Sequence, residues 1–126
     1  MKPLLLAPLA ALALSGCITY HNHSDGITRL RIDESGTVGG PKVTPLKVLE
    51  DSRCPVGTQC VWAGRVRVSV RIETGPGSET REMALGEAQP VADGSLTLVE
   101  VLPEKKANQT TYPDEYRFGF KFAGGL

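Results

Sequence analysis

The sequence predicts an all-β domain, either an antiparallel β-sandwich of immunoglobulin-like or related type with about six to seven strands, or a small barrel. Short segments in which apolar and polar residues alternate, as they do in strands that bury one face, support this fold class. Turns rich in glycine and proline separate these segments. None of the main apolar runs has the 3.6-residue period of an amphipathic helix.

The first half of the domain contains three predicted strands. Residues 28–33 form the first strand, and residues 34–36 form a turn after it. Residues 42–50 form the second strand, in which Pro45 indicates an edge or a bulge. The clearest signal is the third strand, residues 65–73. Its apolar face is made by Val66, Val68, Val70 and Ile72.

Two further strands are predicted over residues 79–85 and 96–102, with residues 86–94 as a loop between them. The apolar positions of the second of these strands change face between Leu98 and Val99. Such a change indicates either a β-bulge or burial on both faces.

The last strand follows a polar loop at residues 103–113 and is expected at the centre of the core. Its apolar residues alternate with polar or small ones. They are Tyr116, Phe118, Phe120 and Phe122. Because all three phenylalanines of the chain lie here, this strand supplies the largest apolar side chains available for burial.

The N-terminus carries the features of an export signal. Lys2 supplies a positive charge, and the apolar run at residues 4–14 is shorter than the roughly 20 residues that span a bilayer. The run ends in the sequence LSGC at residues 14–17, which resembles the lipobox of bacterial lipoproteins. The resemblance implies cleavage before Cys17 and a thioether-linked diacylglycerol on its sulfur.

The lipobox resemblance divides the chain into a signal peptide (residues 1–16), a lipidated N-terminus with a polar tether (17–26) and one β domain (27–126). No other apolar run is long enough for a transmembrane helix, so the lipid on Cys17 would hold the protein in a membrane. In the lipoproteins that it resembles, an Asp after the lipidated cysteine favours the inner membrane. Ile18 occupies that position and favours the outer membrane of the bacterial envelope. The alternative is an ordinary secretory signal with Cys17 as a thiol.

The two remaining cysteines predict a disulfide. Cys54 and Cys60 form the only pair left when Cys17 is lipidated, and an exported protein meets an oxidising compartment. The competing interpretation is a metal site or a redox pair. The absence of a neighbouring histidine and of C-x-x-C spacing argues against it.

The charge balance argues against nucleic acid as a partner. The chain has 14 basic and 14 acidic residues, and loss of Lys2 with the signal peptide leaves one more acidic than basic residue. Arg65, Arg67 and Arg71 share a strand face that would suit contact with anionic lipid or glycan. A solvated outer face is the simpler interpretation.

Catalytic chemistry finds little support. Both histidines, His21 and His23, lie in the tether, so the domain lacks the histidine of Ser-His-Asp and Cys-His units. Two histidines fall short of a full metal site, and we expect no metal and no cofactor. A carboxylate-based hydrolase is the weakest alternative because no acidic pair stands out.

The centre of the chain resembles a group of small exported bacterial domains. The shared signature is EDSRCP at residues 50–55 and CVWAG at residues 60–64, and the resemblance extends over residues 28–122. Many members of the group look like lipoproteins, and it has no established activity. The resemblance therefore implies export and a common fold.

The signature is interpreted as a loop held in shape by its disulfide. Asp51 and Arg53 are expected to pair or to bond to loop amides and carbonyls, and Gly64 to allow a turn or a close approach. Trp62 is expected to pack over the disulfide or to cap the core.

The functional interpretation is that the disulfide loop presents Arg53, Gln59 and Trp62 to an envelope protein, because arginine and tryptophan are typical interface anchors. The predicted function is thus a non-enzymatic binding or envelope accessory domain. The alternative is a protease inhibitor that presents the disulfide-braced loop at residues 54–60, where a rigid loop would lose little entropy on binding.

Replacing Cys17 with alanine should release the protein from membranes, because it removes the predicted site of lipid attachment. The measurement is the fraction of protein that stays in membranes washed with high salt and with carbonate. The control Cys60→Ala leaves the lipobox intact and should remain in the membrane fraction. Retention of the Cys17→Ala protein would contradict the lipoprotein interpretation.

Overall fold

The computed structural model of the chain describes Pro3 and residues 25–124. Cys17 and almost all of the predicted signal peptide and tether lie outside the described residues, so lipidation and the boundaries before residue 25 stay predictions. Among the described residues, no helix is long and apolar enough to cross a membrane.

The described part of the chain contains eight strands. They are β1 (Thr28–Leu30), β2 (Gly36–Thr37), β3 (Lys42–Asp51), β4 (Val66–Thr74), β5 (Gly77–Ala84), β6 (Ala88–Val91), β7 (Gly94–Leu102) and β8 (Arg117–Gly124). A single 3₁₀ turn, Pro113–Glu115, precedes β8.

The strands form two four-stranded antiparallel sheets that pack as a β-sandwich. Sheet A has the order β1-β8-β7-β6 and sheet B the order β2-β3-β4-β5. The sandwich prediction is confirmed, and the barrel alternative is wrong because the two sheets do not close on each other. Sheet B is built from consecutive hairpins, and β1 joins sheet A beside the last strand of the chain.

All six predicted strand segments overlap observed strands, but the predicted number of about six to seven is too low. The two strands that the sequence did not predict are β2, which has 2 residues, and β6, which has 4 residues inside the predicted loop at 86–94. Both are edge strands without a clear alternation. Their pairing with β3 and β7 defines them, and that pairing is a tertiary contact.

The core lies between the sheets and follows the predicted alternation. In sheet B, the inward residues of β4 from Val66 to Ile72 are buried. In sheet A, Phe118 and Phe120 of β8 are fully buried, which confirms the last strand as the centre of the core. Burial of side chains of this size contributes about 1.5–3 kcal/mol each.

Bulges shape two strands. In β7 the register shifts between Leu98 and Glu100, so Val101 turns inward while Val99 faces outward. The change of face predicted for this segment is thus a bulge rather than burial on both faces. In β3 the register shifts after Pro45, as the proline indicated.

The two ends of the sandwich differ in their connections. The hairpin end carries the short turns around Gly40, Gly75 and Asp93, which lie around one cavity. The opposite end carries the long connections 52–65 and 103–116 and is called the disulfide end below. The chain enters β1 from the side of the hairpin end, since Thr28 pairs with Phe120 and Gly26 lies beside Lys121.

The described β domain has a core of its own. Residues 25–124 contain two complete four-stranded sheets and a buried core cluster between them. The segment 25–126 is therefore a suitable unit for solution measurements.

Candidate functional site

The predicted disulfide is confirmed and closes a compact loop at the disulfide end. Cys54 and Cys60 are bonded, with their Cα atoms 6.0 Å apart. Within the loop, the Thr58 amide donates to the Pro55 carbonyl at 3.1 Å, and Gly57 has a φ of 80°, which suits glycine. The Val56 amide donates to the Lys105 carbonyl at 2.8 Å, so the loop is tied to the connection 103–116.

A polar cluster joins the two sheets next to this loop. Asp51 and Arg53 form a bidentate ion pair in which both nitrogen–oxygen distances are 2.9 Å. The Tyr116 hydroxyl donates to the same carboxylate at 2.8 Å, and Arg53 also donates to the Val101 carbonyl at 2.9 Å. Asp51 ends β3 of sheet B and Arg53 follows it, whereas Val101 belongs to β7 and Tyr116 directly precedes β8 of sheet A. This inter-sheet clasp (Asp51, Arg53 and Tyr116) therefore ties the two sheets together.

The clasp shifts the ionisation of its members. Burial by itself would raise the pKa of Asp51, but hydrogen bonds from Arg53 and Tyr116 and the Arg53 charge outweigh it and lower that pKa. Burial and the hydrogen bond to Asp51 raise the pKa of Tyr116 to about 12. Asp51 is therefore ionised and Tyr116 is a neutral donor at neutral pH.

Ser52 clamps the far side of the loop. Its amide donates to the Arg65 carbonyl at 2.9 Å, and its hydroxyl accepts from the Arg65 amide at 3.0 Å. Gly64 lies so close that a Cβ there would overlap the Ser52 carbonyl. The predicted close approach at Gly64 is confirmed, and only glycine fits.

Glu50 holds the first two residues of the predicted arginine row. Its Oε2 atom lies 2.8 Å from Nε of Arg65 and 2.7 Å from Nε of Arg67, and the hydrogen bond from Arg67 lowers the pKa of Glu50. Arg67 also pairs with Glu82. Carboxylates of the domain thus neutralise much of the charge that contact with anionic lipid or glycan would need, which favours the simpler interpretation of a solvated outer face.

The residues between the disulfide and the Ser52 clamp form an exposed tip. The backbone bends at Val61 and Trp62, and these side chains are 92% and 67% exposed. The expectation that Trp62 caps the core is therefore wrong. The tip, residues 61–63, is held at one end by Cys60 and at the other by Gly64.

The structure separates the three predicted contact residues. Gln59 and Trp62 are exposed at the disulfide end. The Arg53 side chain is only 15% exposed, and its guanidinium is occupied by Asp51 and the Val101 carbonyl. The local sequence did not reveal this because Val101, which accepts from Arg53, and Tyr116, which donates to Asp51, lie far along the chain.

Further apolar side chains missed by the sequence analysis are exposed at the same end of the sandwich as the tip. Together with the tip they define the disulfide face, which consists of Val56, Val61, Trp62, Leu102 and Tyr112. Each belongs to the long connections of the disulfide end or to the strand end beside them. The only sequence signal, which Leu102 at the end of a predicted strand does not share, is a large apolar residue outside the predicted strands.

Other parts of the described chain contain fewer groups that could bind or react with a ligand. No group of three or more residues among the described histidines, cysteines, aspartates and glutamates is arranged to hold a metal ion. A cavity of about 280 Å³ at the hairpin end is lined by turn residues and Phe122, and Asp93 is its one ionisable lining residue. The disulfide end is therefore the best candidate functional site.

Removal of the disulfide should lower the free energy of unfolding by about 2 kcal/mol, the chain-entropy value for so short a loop. The measurement is denaturant unfolding of segment 25–126 with and without reductant. The double variant Cys54→Ser/Cys60→Ser serves as the control, because reductant should not change its stability. Equal stability of the oxidised and reduced wild-type domains would contradict the expected role.

Tyr116 should ionise late in an alkaline titration. Its folded-state pKa of about 12 exceeds the usual value of 10.0, so its stabilising contribution is complete below pH 10 and is lost as the pH rises towards 12. Tyrosinate absorbance of segment 25–126 should show a late step that Tyr116→Phe removes and Tyr112→Phe retains. Survival of the step in Tyr116→Phe would show that the clasp does not cause it.

No family model, no curated protein and no solved structure matches the chain. The resemblance to small exported bacterial domains and the lipobox therefore stay predictions. The function is argued from the geometry of the disulfide end.

Proposed function

We propose that the protein is a lipid-anchored, non-enzymatic binding domain of the bacterial cell envelope. Its disulfide face docks on an envelope protein, and Trp62 at the tip enters an apolar pocket of that partner. Exposed aromatic side chains at the centre of such faces are frequent hot spots of protein interfaces. Polar neighbours such as Thr58 and Gln59 form part of the rim.

The exposure of a clamped apolar tip is the observation that carries the proposal. Val61 and Trp62 place most of their surface in water, although Val66, only four residues after Trp62, is fully buried in the core. No charged residue occurs between residues 54 and 64. Because the disulfide and Ser52 hold both ends of the tip, a partner would not have to order it, and little entropy would be lost on binding.

The direction in which the chain enters the domain supports the same use. Gly26 and Thr28 lie on the side of the hairpin end, and the tip lies at the opposite end of the strands. A lipid on Cys17 would keep the hairpin end within about 30 Å of the membrane, since an extended chain spans at most about 3.6 Å per residue. The disulfide face would then point away from that membrane, towards other envelope components.

The structure favours the alternative functions less. Residues 54–60 form a turn closed by the hydrogen bond from Thr58 to Pro55, whereas extended-peptide recognition uses free main-chain groups along a straight segment. A carboxylate hydrolase would need two free acidic groups in a cleft. Glu50 and Asp51, the acidic pair of the signature, are both bound by arginines.

A photo-crosslinking probe at Gln59 should capture one discrete envelope protein in living cells, because Gln59 lies at the edge of the tip. The same probe at Asp93, which is exposed at the hairpin end, is the matched control and should not capture it. Adducts from both positions, or from neither in correctly anchored protein, would contradict docking through the disulfide face.

Trp62→Ala should weaken capture from Gln59 by about 30-fold, the effect of losing a hot spot worth about 2 kcal/mol. The stability of the domain should change little because Trp62 is exposed. Val99→Ala removes an exposed apolar side chain on the outer face of β7 and should leave capture intact. Equal capture by the Trp62→Ala and wild-type proteins would exclude the tip as the anchor.

A further inference from the structure

A second cavity lies at the disulfide end, beside the clasp. Its volume is about 290 Å³, at the small end of the range for ligand pockets. It is called the polar cavity and is lined by Asp51, Lys105, Gln109, Thr110, Thr111 and Tyr116. All six lining residues carry polar side chains, unlike those of the neighbouring groove beside Ile32 and Val48.

The Lys105 ammonium lines this cavity without a salt-bridge partner among the described residues. The charge of Asp51 is matched by Arg53 in the clasp. The Lys105 ammonium donates to the Asp51 main-chain carbonyl at 2.8 Å, and within residues 25–124 it forms no salt bridge. An ammonium has three N–H donors, so two remain for a ligand.

Residues with uncharged hydrogen-bonding side chains line the same cavity as this ammonium. They are Gln109, Thr110 and Thr111, and their side chains form no hydrogen bond with other described residues. An amide group and two hydroxyls supply donors that rotate to suit a ligand oxygen. The polar cavity thus combines an ammonium that has no salt bridge among the described residues with several neutral donors, and Glu104 and Glu115, whose charges act on Arg53 and Tyr116, do not line it.

We infer that the polar cavity binds a carboxylate group, with Lys105 as its charge partner. A single cation flanked by neutral donors matches a monoanion, whereas phosphate sites gather several cations or the amides of a helix N-terminus. The carboxylate belongs either to a free small acid or to an acidic side chain of a protein docked on the disulfide face. The second source is within reach because Lys105 accepts the Val56 amide of that face.

Titration of ¹⁵N-labelled segment 25–126 with sodium acetate tests the site independently of the proposed function. Saturable amide shifts should appear at Lys105 and at residues 109–111. Acetamide, which has the same shape without the charge, and sodium chloride at equal ionic strength should not produce them. Absence of saturation, or the same shifts with chloride, would overturn the inference.

Lys105→Gln should weaken acetate binding at least about tenfold, since hydrogen bonds to charged groups are the strong ones. Lys106→Gln is the matched control, because Lys106 is an exposed lysine next in the chain that does not line the cavity. Equal weakening by both variants would show a general charge effect and overturn the assignment. Unfolding midpoints of both variants verify that each is folded.

Photo-crosslinking from Gln59 in the two lysine variants distinguishes the two sources of the carboxylate. If Lys105→Gln abolishes the adduct that wild-type protein forms while Lys106→Gln retains it, the partner supplies the carboxylate. If acetate binds and Lys105→Gln retains the adduct, the cavity binds a free small acid. Acetate binding without any adduct from Gln59 would support the cavity while contradicting the proposed docking function.

Discussion

The geometry of the disulfide end depends on the carboxylate of Asp51. Asp51 pairs with Val66, a fully buried position, so an acidic group ends the row of inward-facing residues where an apolar one would be expected. A lone carboxylate in this place would be strongly unfavourable. Arg53 and Tyr116 compensate it, and in doing so they connect sheet B to sheet A. The chain continues from Asp51 through residues 52–54. There Ser52 contacts Gly64, and Cys54 is bonded to Cys60.

The segment from Glu50 to Gly64 reverses the usual division between polar and apolar residues. Its charged side chains form salt bridges within the domain. Glu50 pairs with two arginines of the outer face, and Asp51 pairs with Arg53. Its large apolar side chains, Val56, Val61 and Trp62, are exposed to water. Ion pairs within the domain account for the charged residues of the segment, whereas no contact among the described residues accounts for the exposed apolar ones, and this is why we propose the tip as a binding surface.

Only part of the site could be predicted from the sequence. The disulfide followed from the cysteine count and the predicted export signal, and the close approach at Gly64 followed from the absence of a side chain. The role of Arg53 could not be predicted in this way. Asp51 is a near neighbour, but Val101, whose carbonyl accepts from Arg53, and Tyr116, which donates to Asp51, lie 48 and 63 residues further along the chain. An arginine beside a disulfide loop is equally compatible with an interface anchor and with an internal ion pair until those distant partners are known.

The sequence by itself determined the strands of the core and the side chains that they bury. Period-two alternation fixes which residues of β4 and β8 share a face, whatever strand lies beside them, and so Val68 and Phe120 were identified as core. The tertiary structure decided the strand order, the existence of β2 and β6, and the exposure of Trp62. Each of these depends on contacts between segments distant in sequence, and no local pattern of residues records which segments will meet.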